Sequence, residues 1–301
     1  MISQQILTQE LLNHLWVNYC QRVSYAQDYV NLVQVKGGQV VNDHCAFRTF
    51  NTNTGEQTPG LEAIGSVLEC LGYEKISPYA FPSKHLNSWH YQHPTEKKFP
   101  KFFVTQLEVS ALSGQTQTLI NEAVANTPDV LAGAPRESLK KLKNEGNISG
   151  EEAEVLLDAL VKFFGRPWAP PKRETILAVN GESQFAAWTL LHGNSVNHFT
   201  AYINFQEVLE WPDIEATIDG LKAAGVPMKS HIEGEAGSKL RQSSTQAVDE
   251  ACLVTEADGS QGALVWSYAY YELAERGEEN GKWFDGFLGE QATNLFEMTK
   301  R

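Results

Sequence analysis

The chain is short of the residues that staple a fold, anchor it in lipid or make it basic. It has only four cysteines in 301 residues, Cys20, Cys45, Cys70 and Cys252, and no two are spaced as C-x-x-C. That count and spacing argue against a disulfide scaffold. No apolar run approaches the ~18 residues that a membrane span requires. The first residues, Met1-Ile2-Ser3-Gln4-Gln5, carry no basic segment followed by an apolar one. The expected setting is therefore a reducing cytoplasm without a membrane partner. Positive charge is also scarce: 24 Lys and Arg stand against 37 Asp and Glu, a net charge of −13. Such a surface repels phosphate backbones, so nucleic acid is not an expected partner. An anionic small molecule would need a local cationic pocket. The signatures G-x-x-x-x-G-K-[ST], G-x-G-x-x-G after a strand, H-E-x-x-H and G-x-S-x-G are all missing. ATP hydrolysis, dinucleotide binding, zincin and α/β-hydrolase chemistry lose their usual support, which leaves other metal chemistry or simple binding.

What is present reads as a globular α+β chain, 42% hydrophobic and 20% charged. Residues 6–23 have apolar positions at helical spacing, and residues 40–50 read as a strand. A helix over 61–71 closes at Gly72, and a good strand covers 102–109. Residues 113–165 turn helical, with predicted helices at 115–126, 136–143 and 151–164. The last of these opens on a capping box of Ser149 and Glu152. Pro167, Pro170 and Pro171 end this region. A pattern then recurs. His198 opens a strand, Ile214, Ile218 and Leu221 mark a helix, and Gly225 ends it. In the first half His44, Ile64, Leu68 and Gly72 do the same. The histidine-to-glycine interval is 28 residues in the first case and 27 in the second, a weak internal repeat. Strands near 227–232 and 239–247, an aromatic strand over 265–275 and a helix over about 282–297 complete the reading.

Any single histidine of the eight is more often a surface or core residue than a metal ligand. His44 and His198 stand out because each opens the first strand of a repeat. On the aromatic strand Tyr268, Tyr270 and Glu272 would share a face. Glu272 would then be a carboxylate among aromatics, a placement that a divalent cation would relieve. Two histidines and one carboxylate form the facial triad of non-haem Fe(II) oxygenases. His85, His90 and His93 lie among Asn87, Ser88 and Pro94 and read as solvated loop histidines. His192, just before the His198 strand, is placed to orient a ligand.

Asn42-Asp43-His44-Cys45-Ala46-Phe47-Arg48-Thr49-Phe50 resembles the D-H-x-A-x-R-T signature of the 2-oxoadipate dioxygenase/decarboxylase family. Residues 100–107, 187–194, 197–200, 240–244 and 270–276 are similar to further stretches of that family, in order. The resemblance implies a vicinal-oxygen-chelate-like, incompletely closed β-barrel built from two related modules. On this reading residues 1–301 make a single catalytic domain with helical termini. Module one covers about 40–110, a helical insertion about 113–165, and module two about 172–276. The resemblance also implies a mononuclear Fe(II) held by His44, His198 and Glu272, with zinc or nickel able to replace it in purified protein. The partners it implies are a small-molecule 2-oxo acid and O2, with 2-oxoadipate going to 2-hydroxyglutarate and CO2. Substrate-binding residues fall on Arg48, Gln242 and Ser243, with Arg48 also counted as catalytic.

Physical reasoning supports the role of Arg48. His44, Ala46 and Arg48 share one strand face, and the His44 and Arg48 Cα atoms lie about 13 Å apart. A planar guanidinium could take the far carboxylate of a short dicarboxylate. The competing reading pairs Arg48 with Asp43 or Glu108. Gln106 departs from the family pattern, where an acidic residue is expected. Two other functions fit the same residues: a metal-dependent glyoxalase-like isomerase, lyase or hydrolase, and a non-catalytic small-molecule binding protein.

Overall fold

The computed structural model describes residues 1–288 as a mixture of helices and sheets. The chain opens with β1 (Ile2–Ser3), α1 (Gln4–Arg22) and α2 (Ser24–Val35). The second helix, absent from the sequence reading, buries Ala26, Tyr29 and Val33. Next come β2 (Asn42–Asn51), α3 (Gly60–Cys70), β3 (Glu74–Phe81), β4 (Leu86–Gln92) and β5 (Lys101–Glu108). The helical stretch follows with α4 (Gly114–Val124), α5 (Ala134–Glu145), the short β6 (Asn147–Ile148) and α6 (Gly150–Phe163). Ser149 and Glu152 form both bonds of the expected capping box: the Ser149 Oγ accepts from the Glu152 amide, and the Glu152 carboxylate accepts from the Ser149 amide.

Two further helices escaped the sequence, α7 (Arg173–Asn180) and α8 (Gln184–His192). Every residue of α8 from Phe185 to His192 is buried. A helix covered on all sides has no polar face and leaves no amphipathic period to read. Then come β7 (Val196–Tyr202), α9 (Ile214–Ala223), β8 (Leu240–Ser244), β9 (Val248–Thr255), β10 (Gln261–Ala269), β11 (Glu272–Arg276), β12 (Glu278–Glu279) and β13 (Lys282–Trp283).

Three expectations need correction. The aromatic strand read over 265–275 is two strands, because β10 pairs with β9 and the chain breaks at Tyr270 and Tyr271 before β11. The strict alternation that placed Tyr268, Tyr270 and Glu272 on one face therefore does not run through. The C-terminal helix read over 282–297 does not begin where expected, since Lys282 and Trp283 pair with Glu278 and Glu279; residues 289–297 lie outside the described residues. His90 is not on a loop: it is a buried residue of β4, bonded to the Tyr79 hydroxyl.

Packing divides the chain into two units that do not follow chain order. The first comprises Met1–Val17, Ala46–Val196 and Glu250–Trp266; the second comprises Asn18–Cys45, Asn197–Asp249 and, among the described residues, 267–288. In the first unit the strand order is β3-β4-β5 and then residues 46–51 of β2. Antiparallel registers such as Tyr79↔Ser88 and Ser88↔Thr105 set its faces. Phe47 stacks on Phe102 at 5.3 Å, and Phe164 packs against both. In the second unit residues 42–45 of β2 are followed by β7, β11 and β8. Here β11 runs parallel to β7 and antiparallel to β8. Isolated bridges Met228↔Thr245 and Glu233↔Gln242 stand where one more edge strand would lie. Counted from its own first strand, each strand–helix–strands segment thus has the spatial order first, fourth, third, second. In the second segment the β9–β10 hairpin departs between the third and fourth strands. Among the described residues no helix is long and apolar enough to cross a membrane.

Candidate metal centre

Strand register in the second unit builds the centre. Glu272 opens β11 directly opposite Thr200 of β7, two residues beyond His198 and on the same face as it. His44 comes from the neighbouring strand β2. One ligand atom from each of His44, His198 and Glu272 lies within 4.8 Å of the others, and all three residues are buried. His198 Nε2 is 3.0 Å and His44 Nε2 is 3.6 Å from the same Glu272 oxygen, Oε2. The Thr200 hydroxyl donates to that oxygen and lies 3.0 Å from His44 Nε2.

The other ring nitrogens face outward to fixed partners. His44 Nδ1 is 2.7 Å from Asp43 Oδ1. His198 Nδ1 is 3.0 Å from the Tyr270 hydroxyl and 3.2 Å from Asn197 Oδ1, and its ring stacks on Tyr270 at 5.0 Å. Holding each Nδ1 in this way turns both Nε2 atoms to one point. Gln242 on β8 donates its amide to Glu272 Oε1, so the second carboxylate oxygen is engaged while Oε2 faces the imidazoles. Asp43 is itself held by Arg276, whose Nε and Nη2 donate to the carboxylate at 2.5 and 2.7 Å. Arg276 Nη1 donates to the carbonyls of Phe284 and Gly286, and the Phe287 ring lies edge-on 4.9 Å from His44.

The electrostatics are those of a cation site. Burial pushes the Glu272 carboxyl up, but the two facing imidazoles outweigh it and hold the group down at about 2. Burial likewise lowers His44, yet the Asp43 and Glu272 carboxylates overcome it and leave His44 above its ordinary value. Glu272 and the imidazoles facing it thus favour each other's charged forms. Two imidazole nitrogens and a carboxylate oxygen, converging and buried, suit a divalent first-row cation.

The remaining site candidates lie as follows. Gln242 reaches the centre through Glu272. Ser243 faces the other side of β8, opposite Leu273, and its hydroxyl donates to the His231 carbonyl. Arg48 is a buried residue of the first unit, its guanidinium 4.9 Å from the Phe185 ring and 5.0 Å from the Trp188 ring. Of the acids considered as its partners, Asp43 is engaged by Arg276 and His44, while Glu108 accepts from Asn51, Asn87 and Gln106. Gln106 also accepts from the Leu61 amide, so an uncharged amide here both caps α3 and satisfies Glu108. His192 lies in the first unit with Nδ1 3.2 Å from Glu250. The sequence reading missed Thr200, Asn197 and Phe287, placed Tyr270 on the Glu272 face without a partner, considered Asp43 only as a partner for Arg48 and gave Arg276 no role. The available signal was in the sequence motifs: Asp43 precedes a candidate ligand histidine, and Arg276 lies four residues after a candidate ligand glutamate.

A sequence model of the 2-oxoadipate dioxygenase/decarboxylase family matches residues 11–297. The chain belongs to this family. It is 25% identical over 271 residues to the 2-oxoadipate dioxygenase/decarboxylase of Oryza sativa subsp. japonica, named as chloroplastic/amyloplastic; the match covers 86% of this chain and 66% of that one. Among solved structures it resembles a protein of Ralstonia eutropha JMP134 described as of the glyoxalase superfamily, with a TM-score of 0.86, 24% identity and coverage of 95% and 87%. It also resembles the rice hydroxyglutarate synthase solved with 2-oxoadipate, with a TM-score of 0.77, 22% identity and coverage of 100% and 96%. These likenesses establish the fold as that of the glyoxalase-like and hydroxyglutarate synthase structures.

Proposed function

We propose that this family member is an Fe(II)-dependent enzyme that converts a 2-oxo dicarboxylic acid, 2-oxoadipate, with O2 into 2-hydroxyglutarate and CO2. The observation that carries the reading is the buried convergence of His44, His198 and Glu272 in a chain of this family. The names of the rice relative and of the rice structure support the substrate. Bound Fe(II), held by His44, His198 and Glu272, would supply the redox chemistry of the reaction with O2.

The residues of the chain have separate tasks. His44, His198 and Glu272 hold the cation. Asp43, Asn197 and Tyr270 keep the two imidazoles oriented, and Gln242 keeps Glu272 turned toward them. The Phe287 ring packs edge-on against His44. Arg48, four residues beyond His44 on β2, binds the distal carboxylate of the substrate as a bidentate ion pair. Gln242 stands as the substrate contact on β8, because its face is that of Glu272; Ser243, assigned the same role from the sequence, faces away and has its hydroxyl on the His231 carbonyl. Zinc or nickel would occupy the same donors during purification. A cytoplasmic setting is proposed on cysteine usage, four in 301 residues with no C-x-x-C spacing.

The test is anaerobic reconstitution with Fe(II), then an oxygen electrode with a panel of 2-oxo acids. Oxygen uptake matched by CO2 release, greatest with 2-oxoadipate, is the expected result. A metal-loaded protein that turns over substrate without consuming oxygen would move the reading to an isomerase, lyase or hydrolase.

A further inference from the structure

The first unit holds a second convergence of reactive side chains. Glu250 and Cys252 are two apart on β9 and so share a face, and His192 is the last residue of α8. Cys252 Sγ lies 3.9 Å from His192 Nε2, while His192 Nδ1 lies 3.2 Å from Glu250 Oε1. We propose that Cys252, His192 and Glu250 form a thiol–imidazole–carboxylate relay that makes Cys252 a site of modification by hydrogen peroxide or a small hydroperoxide. The proposal stands apart from the oxygenase reading, because none of the three residues belongs to the metal centre.

Which nitrogen faces which partner decides between a relay and a chelate. A metal takes one ring nitrogen, with its other ligands gathered on that side of the ring. One donor atom of each residue lies within 4.8 Å of the others, but the thiol is next to Nε2 and the carboxylate next to Nδ1, at opposite nitrogens. The carboxylate accepts the Nδ1 proton, fixes the tautomer and leaves the Nε2 lone pair facing the sulfur.

The surroundings hold this arrangement. Arg166 Nη1 donates to the carbonyls of Leu191 and Leu253, the neighbours of His192 and Cys252, and so clamps the end of α8 to β9. Its guanidinium also couples electrostatically to the Cys252 thiol. Gly193 turns the chain off α8 at φ +62°; any Cβ there would lie 2.5 Å from the Arg166 Cα. The Trp188 ring packs 4.7 Å from the His192 ring and fixes its plane.

The chemical step balances without a further reactant. His192 Nε2 takes the thiol proton. The thiolate sulfur attacks one peroxide oxygen, the S–O bond forms and the O–O bond breaks. The leaving hydroxide takes the proton back from imidazolium and departs as water. Sulfur loses two electrons, the peroxide gains them, and Cys252 becomes a sulfenic acid.

The chain contains its own control. Cys20 is as buried as Cys252, at 8% against 6% exposure, and burial pushes its thiol up to about 12. Burial alone would make the two cysteines equally inert. The experiment exposes the full chain, in chelator-containing buffer, to hydrogen peroxide, traps sulfenic acid with dimedone and maps each cysteine by mass spectrometry. Cys252 is expected to label at least about tenfold faster than Cys20. His192→Gln should remove that advantage without altering Cys70, and Glu250→Gln should remove part of it. Equal labelling of Cys252 and Cys20 in the unmodified chain overturns the proposal, and that comparison needs no variant to fold. Zinc titration gives the other refutation: a zinc equivalent that blocks Cys252 labelling and is lost in Cys252→Ser would make the cluster a metal site.

Discussion

Asp43 serves the centre in two ways, and replacing it by asparagine separates them. Its carboxylate accepts from His44 Nδ1 at 2.7 Å and pairs with Arg276 at 2.5 and 2.7 Å, with the Asp43 and Arg276 side chains both fully buried. Asp43→Asn keeps the shape but takes from the buried Arg276 charge the carboxylate it pairs with. Breaking one side of a buried pair costs about 3–5 kcal/mol. Unfolding entropy near 2.1 cal/mol/K per residue gives about 630 cal/mol/K for 301 residues, so the melting temperature should fall by about 5–8 °C. The second effect is on the metal. An asparagine oxygen holds the His44 tautomer less firmly and does not raise its basicity, which should weaken metal binding by about 10–100-fold. Scanning calorimetry and a zinc or cobalt titration read the two effects separately. Adding Arg276→Met to Asp43→Asn should cost less than the sum of the single changes, because the unpaired charge disappears with its partner. An Asp43→Asn protein with unchanged melting temperature and unchanged metal affinity would refute the reasoning.

Other outcomes follow from the same geometry. Glu272→Ala should bind no stoichiometric metal by elemental analysis and show no metal-dependent turnover; full activity would remove it from the donor set. Arg48→Ala should keep its metal but lose about 2–5 kcal/mol in kcat/KM with a 2-oxo dicarboxylic acid, and far less with a monocarboxylic one of similar length; equal losses would exclude a distal-carboxylate role. Tyr270→Phe should weaken metal binding less than Asp43→Asn does, because His198 Nδ1 keeps Asn197 as a partner. The pH dependence of stability should change sign with metal. In the metal-free protein His44 titrates above its unfolded value of about 6.5, so its contribution is complete below that value and is lost as pH rises through the folded one. Glu272, at about 2 when folded, contributes above its unfolded value of roughly 4.3 and loses that only as pH falls toward 2. Metal replaces the imidazole protons, so the loaded protein should gain melting temperature over the range in which the metal-free form loses it.

Much of the fold was legible because the repeat and the capping signals are local. Ser149 and Glu152 marked the start of α6, and Gly72 and Gly225 marked the ends of two equivalent helices. Where local signals were absent the reading failed. The α8 helix has no polar face, and the 265–275 run of aromatics changes sheet at Tyr270 and Tyr271 without a proline or glycine to announce it. His90 looked solvated beside Asn87 and Ser88, yet β4 pairs on both sides and buries it.

From the sequence alone came the α+β class, the helical stretch after β5 and the three candidate ligands His44, His198 and Glu272. Each of these rests on residue type and spacing along the chain. Tertiary structure alone decided that the three candidate ligands meet, that both Nε2 atoms face Glu272 Oε2, and that Asp43, Arg276, Asn197 and Tyr270 hold them there. It also decided that Gln242 faces Glu272 while Ser243 does not, and that Cys252 meets His192 across 60 residues. The physical reason is that convergence depends on strand pairing between distant segments. A ring nitrogen finds its partner through backbone register, and register is set by what each sheet face buries rather than by the residues flanking the histidine.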